Sequence, residues 1–246
     1  MPKATPPYYT TLPPFCELFT QGQPMLMYHK LGPRPHGVRL KGLYIGTSLF
    51  ARQMRELRDS GYRSALPGEA LSDRGSVVIS FDDGYVNVLE HGVPILLENH
   101  FRAIQYIVTD EIGEYNRWDV AQGEVAAPLM NRAQLGEWLA AGQVIGSHTQ
   151  THAWLTQISP AQAREEIVSS KKRLEDLFGV AVEHFCYPYG GWNPAVRDLV
   201  QQAGYRTACT TTFGVNAVDT DPLALKRLLV RYQSRSPRAL WRRMRG

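Results

Sequence analysis

Short apolar runs of strand length alternate with amphipathic stretches of helix length from Pro24 to Tyr232, and this rhythm confines the chain to a parallel β/α architecture. Strands are expected at Pro24 to His29, Ser76 to Phe81, Ala103 to Val108, Val144 to Gly146, His184 to Tyr187, Tyr205 to Thr210 and, late in the chain, Leu228 to Tyr232. Between them Phe50, Met54 and Leu57 recur at helical spacing and the helix stops near Gly61; further helices fall at Val88 to Asn99, Asn131 to Ala141 and Pro194 to Ala203. Pro160 suits the first turn of a helix running to Phe178, with Ser159 as N-cap and Gly179 as its stop. Asp110 to Met130 is long, acidic and contains Gly, which predicts an insertion near the mouth of a site, outside the core. Strands separated by helices pair in parallel, so the pattern argues for a parallel barrel with helices outside. A chain of 246 residues suits one such catalytic domain, expected over 24–246 behind an N-terminal extension over 1–23.

Two short motifs sit where such a fold keeps its chemistry. The apolar run Val77-Val78-Ile79 reads as a strand buried on both faces, so Asp82 and Asp83 in Ser-Phe-Asp-Asp-Gly emerge at its C-terminal end. His148 and His152 in His-Thr-Gln-Thr-His follow the strand that starts at Val144, and a spacing of four lets both rings point one way if the segment has helical curvature. Alone, an Asp-Asp pair is an ordinary turn or cap and His-x-x-x-His an ordinary solvated helix face. Together they offer two imidazoles, one carboxylate and a spare carboxylate. A divalent ion held by that set keeps coordination positions open for water and a substrate oxygen, unlike a closed structural site.

With Met25-Leu26-Met27-Tyr28-His29, Phe50 to Tyr62, Ser80 to Tyr85, His148 to Leu155, Phe185-Cys186-Tyr187-Pro188-Tyr189-Gly190 and Leu225-Lys226-Arg227, the chain resembles the polysaccharide deacetylases, the NodB-like carbohydrate esterases, over roughly Pro24 to Arg231. The resemblance implies a distorted (β/α) barrel of about seven parallel strands. It makes Asp82 the general base and Asp83, His148 and His152 the metal ligands, with the backbone N–H of Tyr189 facing the oxyanion of the reaction. Zinc is the expected ion, and cobalt, nickel or iron suit the same ligands.

Two departures from the family pattern need replacements. No His follows His184, so the usual late Leu-x-His acid is absent; His29, at the end of the first strand, matches the acid of branches that deacetylate poly-N-acetylglucosamine, while His184 is expected at the far end of the barrel. Cys186 stands where the family often has an Arg that pairs with the catalytic Asp. Arg227, grouped with Tyr189 on the substrate side of the site, is the candidate to supply that pairing, because only Arg offers a fixed bidentate fork. Tyr187, Tyr189 and Trp192, with Trp118 and Trp154, are candidates for an aromatic platform under sugar rings, Tyr189 foremost through its backbone.

The expected activity is removal of N-acetyl groups from N-acetylhexosamine units of a polysaccharide or amino-sugar conjugate. The alternatives are O-acetyl ester hydrolysis on xylan-like glycans and a non-catalytic carbohydrate-binding relative. A net charge of +4, without zinc-finger spacing or a basic aromatic sheet motif, gives no sign of nucleic-acid binding. No apolar run is long enough to span a bilayer, although Arg235, Arg238, Arg242, Arg243 and Arg245 form a basic tail suited to weak contact with an anionic surface, or to a solvated helix with Leu240 and Trp241 packed down. The first twenty residues lack the hydrophobic centre of a secretory signal; as the sequence stands the expectation is a cytoplasmic protein, and a secreted or periplasmic one if a leader was trimmed. Cys16, Cys186 and Cys209 are an odd set without metal spacing, read as reduced, partly buried thiols.

Overall fold

The computed structural model describes residues 15–69 and 75–230. A one-turn helix α1 (Cys16–Phe19) leads into β1 (Met25–Tyr28), β2 (Lys30–Leu31), β3 (Tyr44–Ile45), α2 (Thr47–Asp59), β4 (Arg63–Ser64), β5 (Ser76–Phe81) and α3 (Val86–Glu98). There follow β6 (Ile104–Ile107), α4 (Arg117–Val120), α5 (Arg132–Ala140), β7 (Val144–Ser147), α6 (Pro160–Phe178), β8 (His184–Cys186), α7 (Pro194–Gln202), β9 (Thr207–Phe213) and β10 (Leu225–Leu229). Seven parallel strands close a barrel in the order β1-β5-β6-β7-β8-β9-β10 and back to β1, with β4 paired to the start of β5 outside the ring. Strands β2 and β3 form a separate parallel pair beyond the end of β1. The expected barrel is the observed one.

Strand alternation divides the core into two layers. One face packs outward against the helices, in a large cluster that includes Leu26, Tyr28, Ile79, Phe81, Phe50, Met54, Leu57, Trp138 and Ile167. The other face fills the barrel with Met25, Val78, Ile104, Tyr106, Cys186, Cys209 and Leu225. Counting on by two from the second set gives Ser80 and Asp82 from Val78, and Arg227 from Leu225. The barrel's own periodicity therefore aims Asp82 and Arg227 into the same interior.

Helix α6 shows how closely local signals can set an element. Ser159 caps it with a reciprocal capping box to Gln162, Pro160 occupies its first turn, and Gly179 ends it at φ 64°. The late strand, expected at Leu228 to Tyr232, is a correction at its start: it spans Leu225–Leu229 among the described residues, and Arg231 and Tyr232 lie outside them. The cause is an irregularity in its pairing, where Leu225 faces Cys209 but Arg227 already faces Phe213. The insertion is corrected too. Residues 110–130 contain α4 and send Ala127, Leu129 and Met130 into the outer core, while Met130 N–H donates to Gly84 O at 2.8 Å. The extension expected over 1–23 is also packed down where it is described, since Phe15 and Phe19 are fully buried. The basic tail lies outside the described residues, and those residues contain no helix long and apolar enough to cross a membrane.

Candidate active site

Asp82 continues the ladder past the end of β5, its N–H donating to Tyr28 O at 3.0 Å. The chain then turns left-handed through Asp83 (φ 76°) and Gly84 (φ 93°) before α3 begins. Asp tolerates this conformation better than most side chains. The turn sends the two neighbouring carboxylates to different partners.

Asp82 is 3 % exposed and paired end-on with Arg227, which is 1 % exposed: Nη1 donates to Oδ1 at 2.7 Å and Nη2 to Oδ2 at 2.8 Å. The guanidinium is itself fixed, by Nε donating to Thr210 O at 2.7 Å and Nη2 to Cys186 Sγ at 3.2 Å. Arg227 thus stands behind Asp82, closed off from solvent, which removes it from the substrate side. The smaller Cys186 occupies the space next to it, and the Arg paired with Asp82 arrives from β10. His29 Nε2 lies 3.6 Å from Asp82 Oδ2 on the more open side, with its side chain 15 % exposed. Burial pushes the Asp82 carboxyl up, but Arg227, His29 and His148 together outweigh it and hold the group below the usual carboxylate range. The Asp82 carboxyl is held ionised at neutral pH.

His148 follows β7 with its N–H on Ile107 O at 2.8 Å, and its Nδ1 is 2.7 Å from Cys186 O. The segment to His152 is a loop and not a helical turn: Thr149 (φ 70°) and His152 (φ 63°) are both left-handed. The rings converge because the backbone reverses, with His152 N–H donating to Thr149 Oγ1 at 3.0 Å. Asp83 Oδ1 lies 3.4 Å from His148 Nε2 and 3.5 Å from His152 Nε2. These separations are long for hydrogen bonds. They fit the edges of a tetrahedron, since ligand atoms about 2.0–2.1 Å from a common ion stand about 3.3–3.4 Å apart. A neutral His148 that donates its Nδ1–H to Cys186 O also turns a lone pair on Nε2 toward a carboxylate oxygen, an arrangement that a cation between them makes favourable.

Burial opposes ionisation of Asp83, yet the two imidazoles hold its carboxyl well below the usual range. Burial also pulls both imidazoles down; the Asp83 contact reverses this for His148 and leaves His152 low. Asp82, His148 and Cys186 form a second cluster of possible ligands. Both Asp82 oxygens are taken by Arg227, and burial pushes the Cys186 thiol well above its usual value, so Asp83, His148 and His152 are the better donor set.

Tyr189 occupies a short 3-10 turn, Pro188–Gly190, at φ 59°. Gly190 (φ 73°) has no room for a side chain, because a Cβ there would lie 2.1 Å from Thr211 Oγ1. The Tyr189 ring stacks on Trp154 (4.1 Å, 7°) and meets His152 edge-on (4.5 Å, 78°). Trp118 stacks on His152 (4.5 Å, 17°). Tyr187 is not part of this platform: fully buried, it donates its hydroxyl to Leu223 O at 2.9 Å. Trp192 is 37 % exposed and sits 6.3 Å from Tyr187. His184 lies at the opposite end of the barrel on Thr207 Oγ1 at 2.8 Å, its pKa lowered to about 4 by burial. The three cysteines are free, with Cys186 and Cys209 buried and Cys16 exposed.

Sequence reading missed the polar groups that surround this site. Lys30 is fully buried, with Nζ 4.3 Å from the centre of the Tyr85 ring and 5.1 Å from that of Tyr44. Asp119, 7 % exposed, accepts from Asn116 Nδ2 at 3.2 Å and Tyr85 O–H at 3.4 Å. Lys30 directly follows His29, a signal of adjacency that went unused. Nothing in the spacing of Asp119 marks it.

Comparison with known proteins agrees with the barrel. The family model for polysaccharide deacetylases matches residues 71–208, and the chain belongs to that family. It is therefore a deacetylase by family. A Bacillus subtilis protein, YxkH, provisionally named as a polysaccharide deacetylase, is 26 % identical over 215 residues, 84 % of this chain and 71 % of its own length. A chitooligosaccharide deacetylase of Azorhizobium caulinodans is 27 % identical over 135 residues, 54 % of this chain and 57 % of its own. The structure of the Streptococcus pyogenes deacetylase PplD in complex with acetate shares the fold, with a TM-score of 0.75 at 24 % identity over 90 % of this chain and 97 % of that one.

Proposed function

We propose that this chain is a metal-dependent N-deacetylase that removes acetyl groups from N-acetylhexosamine units of a polysaccharide or an amino-sugar conjugate. The observation that carries the reading is the division of labour within one Asp-Asp pair: Asp83 faces two imidazoles at 3.4 and 3.5 Å, while Asp82 is held ionised by Arg227 beside His29. The similarity to a protein named as a chitooligosaccharide deacetylase supports an N-acetyl substrate.

Asp83, His148 and His152 would hold the ion, zinc being the first choice for two imidazoles and a carboxylate. Bound there, it would supply Lewis acidity for the acetyl carbonyl and ease the loss of a proton from water. Asp82 takes the proton of the attacking water as the new C–O bond forms, and Arg227 keeps both carboxylate oxygens in place for that transfer. The N–H of Tyr189 supports the negative charge that develops on the carbonyl oxygen. An amide nitrogen leaves only when protonated, and His29, at the open edge of Asp82, delivers that proton as the C–N bond breaks. The products are acetate and a free amino sugar.

The test is acetate release from N-acetylglucosamine oligomers and from acetylated xylan, with chelator-stripped protein reloaded with zinc or cobalt. Release from the oligomers that requires metal and falls by about 10²–10⁴ in Asp82→Asn is the expected result, the range typical of losing a general base. Release from xylan alone would replace the amide reading with the ester one. Stoichiometric metal binding with no release from either substrate would count against catalysis.

A further inference from the structure

The loop that carries His148 and His152 contains two left-handed residues that are not Gly, Thr149 and His152, a conformation that persists only when its surroundings hold it. Part of the hold comes from the barrel: Thr109 N–H donates to Thr149 O at 3.1 Å and Asp110 N–H to Gln150 O at 2.9 Å. Two backbone donors of the loop face α6. Gln150 N–H and Thr151 N–H both donate to Glu166 Oε2, at 2.8 and 3.0 Å, and Thr151 Oγ1 donates to Glu166 Oε1 at 2.6 Å. Four residues on, Ser170 Oγ meets Ser147 Oγ at 2.7 Å, just before His148. Three residues beyond that, Arg173 Nη1 donates to Asp110 Oδ1 at 2.7 Å. Positions 166, 170 and 173 share one face of a helix. A polar stripe on α6 thus contacts the loop before, between and beside the two imidazoles.

We infer that Glu166 is a positioning residue for the metal-ligand loop. Its carboxylate takes three hydrogen bonds from Gln150 and Thr151, two of the three residues between His148 and His152, and so sets the angle at which the rings face Asp83. The inference rests on the reading of Asp83, His148 and His152 as ligands. Charged acceptors make shorter, stronger bonds than neutral ones. Because α6 is capped at both ends, the carboxylate is presented from a rigid element, whereas a loop with two left-handed residues has little rigidity of its own.

The experiment is the zinc affinity of the chelator-stripped full chain, measured by competition with a chromogenic chelator, alongside the melting temperature of the stripped protein. Glu166→Ala is expected to weaken zinc binding by roughly 10- to 100-fold, the range for outer partners of metal ligands. Thr151→Val, which removes one of the three bonds, should give a smaller loss in the same direction. Glu166→Gln should recover most of the affinity, since its amide can still accept from both N–H groups and donate to the Thr151 hydroxyl. Glu165→Ala is the control: its carboxylate bonds Ser169 on the exposed side of the same helix and zinc affinity should not change. The inference is overturned if both Glu166→Ala and Thr151→Val bind zinc as the unaltered chain does, even with a lowered melting temperature, or if Glu166→Gln is as weak as Glu166→Ala. An unaltered chain that takes up no zinc would instead overturn the ligand assignment beneath it.

Discussion

The wall of the site carried by the barrel strands holds its polar groups by hydrogen bonds, whereas the wall next to the 110–130 connection holds His152 by ring contact. On the first, Asp82 uses both oxygens on Arg227, and His148 Nδ1 is bonded to Cys186 O. On the second, His152 Nδ1 is buried without a hydrogen bond among the described residues. Its ring stacks on Trp118 and meets Tyr189 edge-on, each 4.5 Å away. The difference follows from the elements. Alternation along a parallel strand delivers side chains to the interior at fixed positions, while a connection can close over a ring without matching any ladder. The strand wall is suited to holding a charge, and the connection wall to holding a plane.

Removing Arg227 should break the strand wall most severely. Arg227→Ala leaves Asp82 buried without its countercharge, at a cost of about 3–5 kcal/mol of stability. It should also remove most of the rate while leaving zinc affinity nearly intact, because Asp83, His148 and His152 do not touch the guanidinium. The stability loss should depend on pH in a particular direction. In the unaltered chain the Asp82 pKa is depressed below 3.8, so its ionised form contributes stability above that value, and the contribution is lost as pH falls through the folded pKa. Without Arg227, burial becomes the dominant influence and the folded pKa rises above 3.8. The neutral form is then favoured in the folded state, and that contribution is lost as pH rises. The gap between the two proteins, measured by urea unfolding, should be widest at neutral pH and shrink as pH approaches 3. A gap that stays constant, or a variant with the unaltered rate and acidic limb, would refute the pairing role.

Trp118→Ala attacks the other wall and should do the reverse. With one face of His152 released, zinc affinity should fall by about tenfold, at the lower end of the range for an outer partner, while the pH dependence of stability set by Asp82 stays as it was. Competition with a chromogenic chelator reads the first and urea unfolding the second. Unchanged zinc affinity would mean that the loop alone orients His152 and that the stacking is incidental.

Both walls were visible in the sequence to different degrees. Asp82, Asp83 and His148 stand directly after apolar strand runs, and position at a strand end is enough to place these three together. Arg227 was reached by asking what could replace an Arg absent at Cys186, and the count of two from Leu225 explains why the answer works. The late strand was misplaced by three residues at its start because the irregular pairing of β9 and β10 is a tertiary event with no local signature. The four-residue spacing of the histidines suggested helical curvature, but the loop achieves convergence with left-handed residues that a period cannot reveal. Tyr187 and Tyr189 are both platform candidates in Tyr-Pro-Tyr, Tyr189 foremost through its backbone. The turn at Pro188 sends the first into the core and the second to the site. Asp119 and Lys30 went unread because burial beside a site depends on which connection covers it, and connection paths are set by packing.

The smallest expected effect lies at the outer edge of the connection wall. Trp154 is 41 % exposed and stacks on Tyr189. If the exposed face of this stack receives a sugar ring next to the one being deacetylated, Trp154→Ala should raise KM for N-acetylglucosamine oligomers and leave kcat, zinc affinity and stability nearly unchanged. An aromatic contact of about 0.5–1.5 kcal/mol corresponds to a rise of roughly 2- to 10-fold. The rise should vanish for a monomeric substrate, which has no neighbouring ring to lose. An equal effect on monomer and oligomer would show that Trp154 acts through Tyr189 on the reacting unit. A fall in kcat with KM unchanged would place the stack among the groups that hold His152, and the division between the two walls would then extend out to the protein surface.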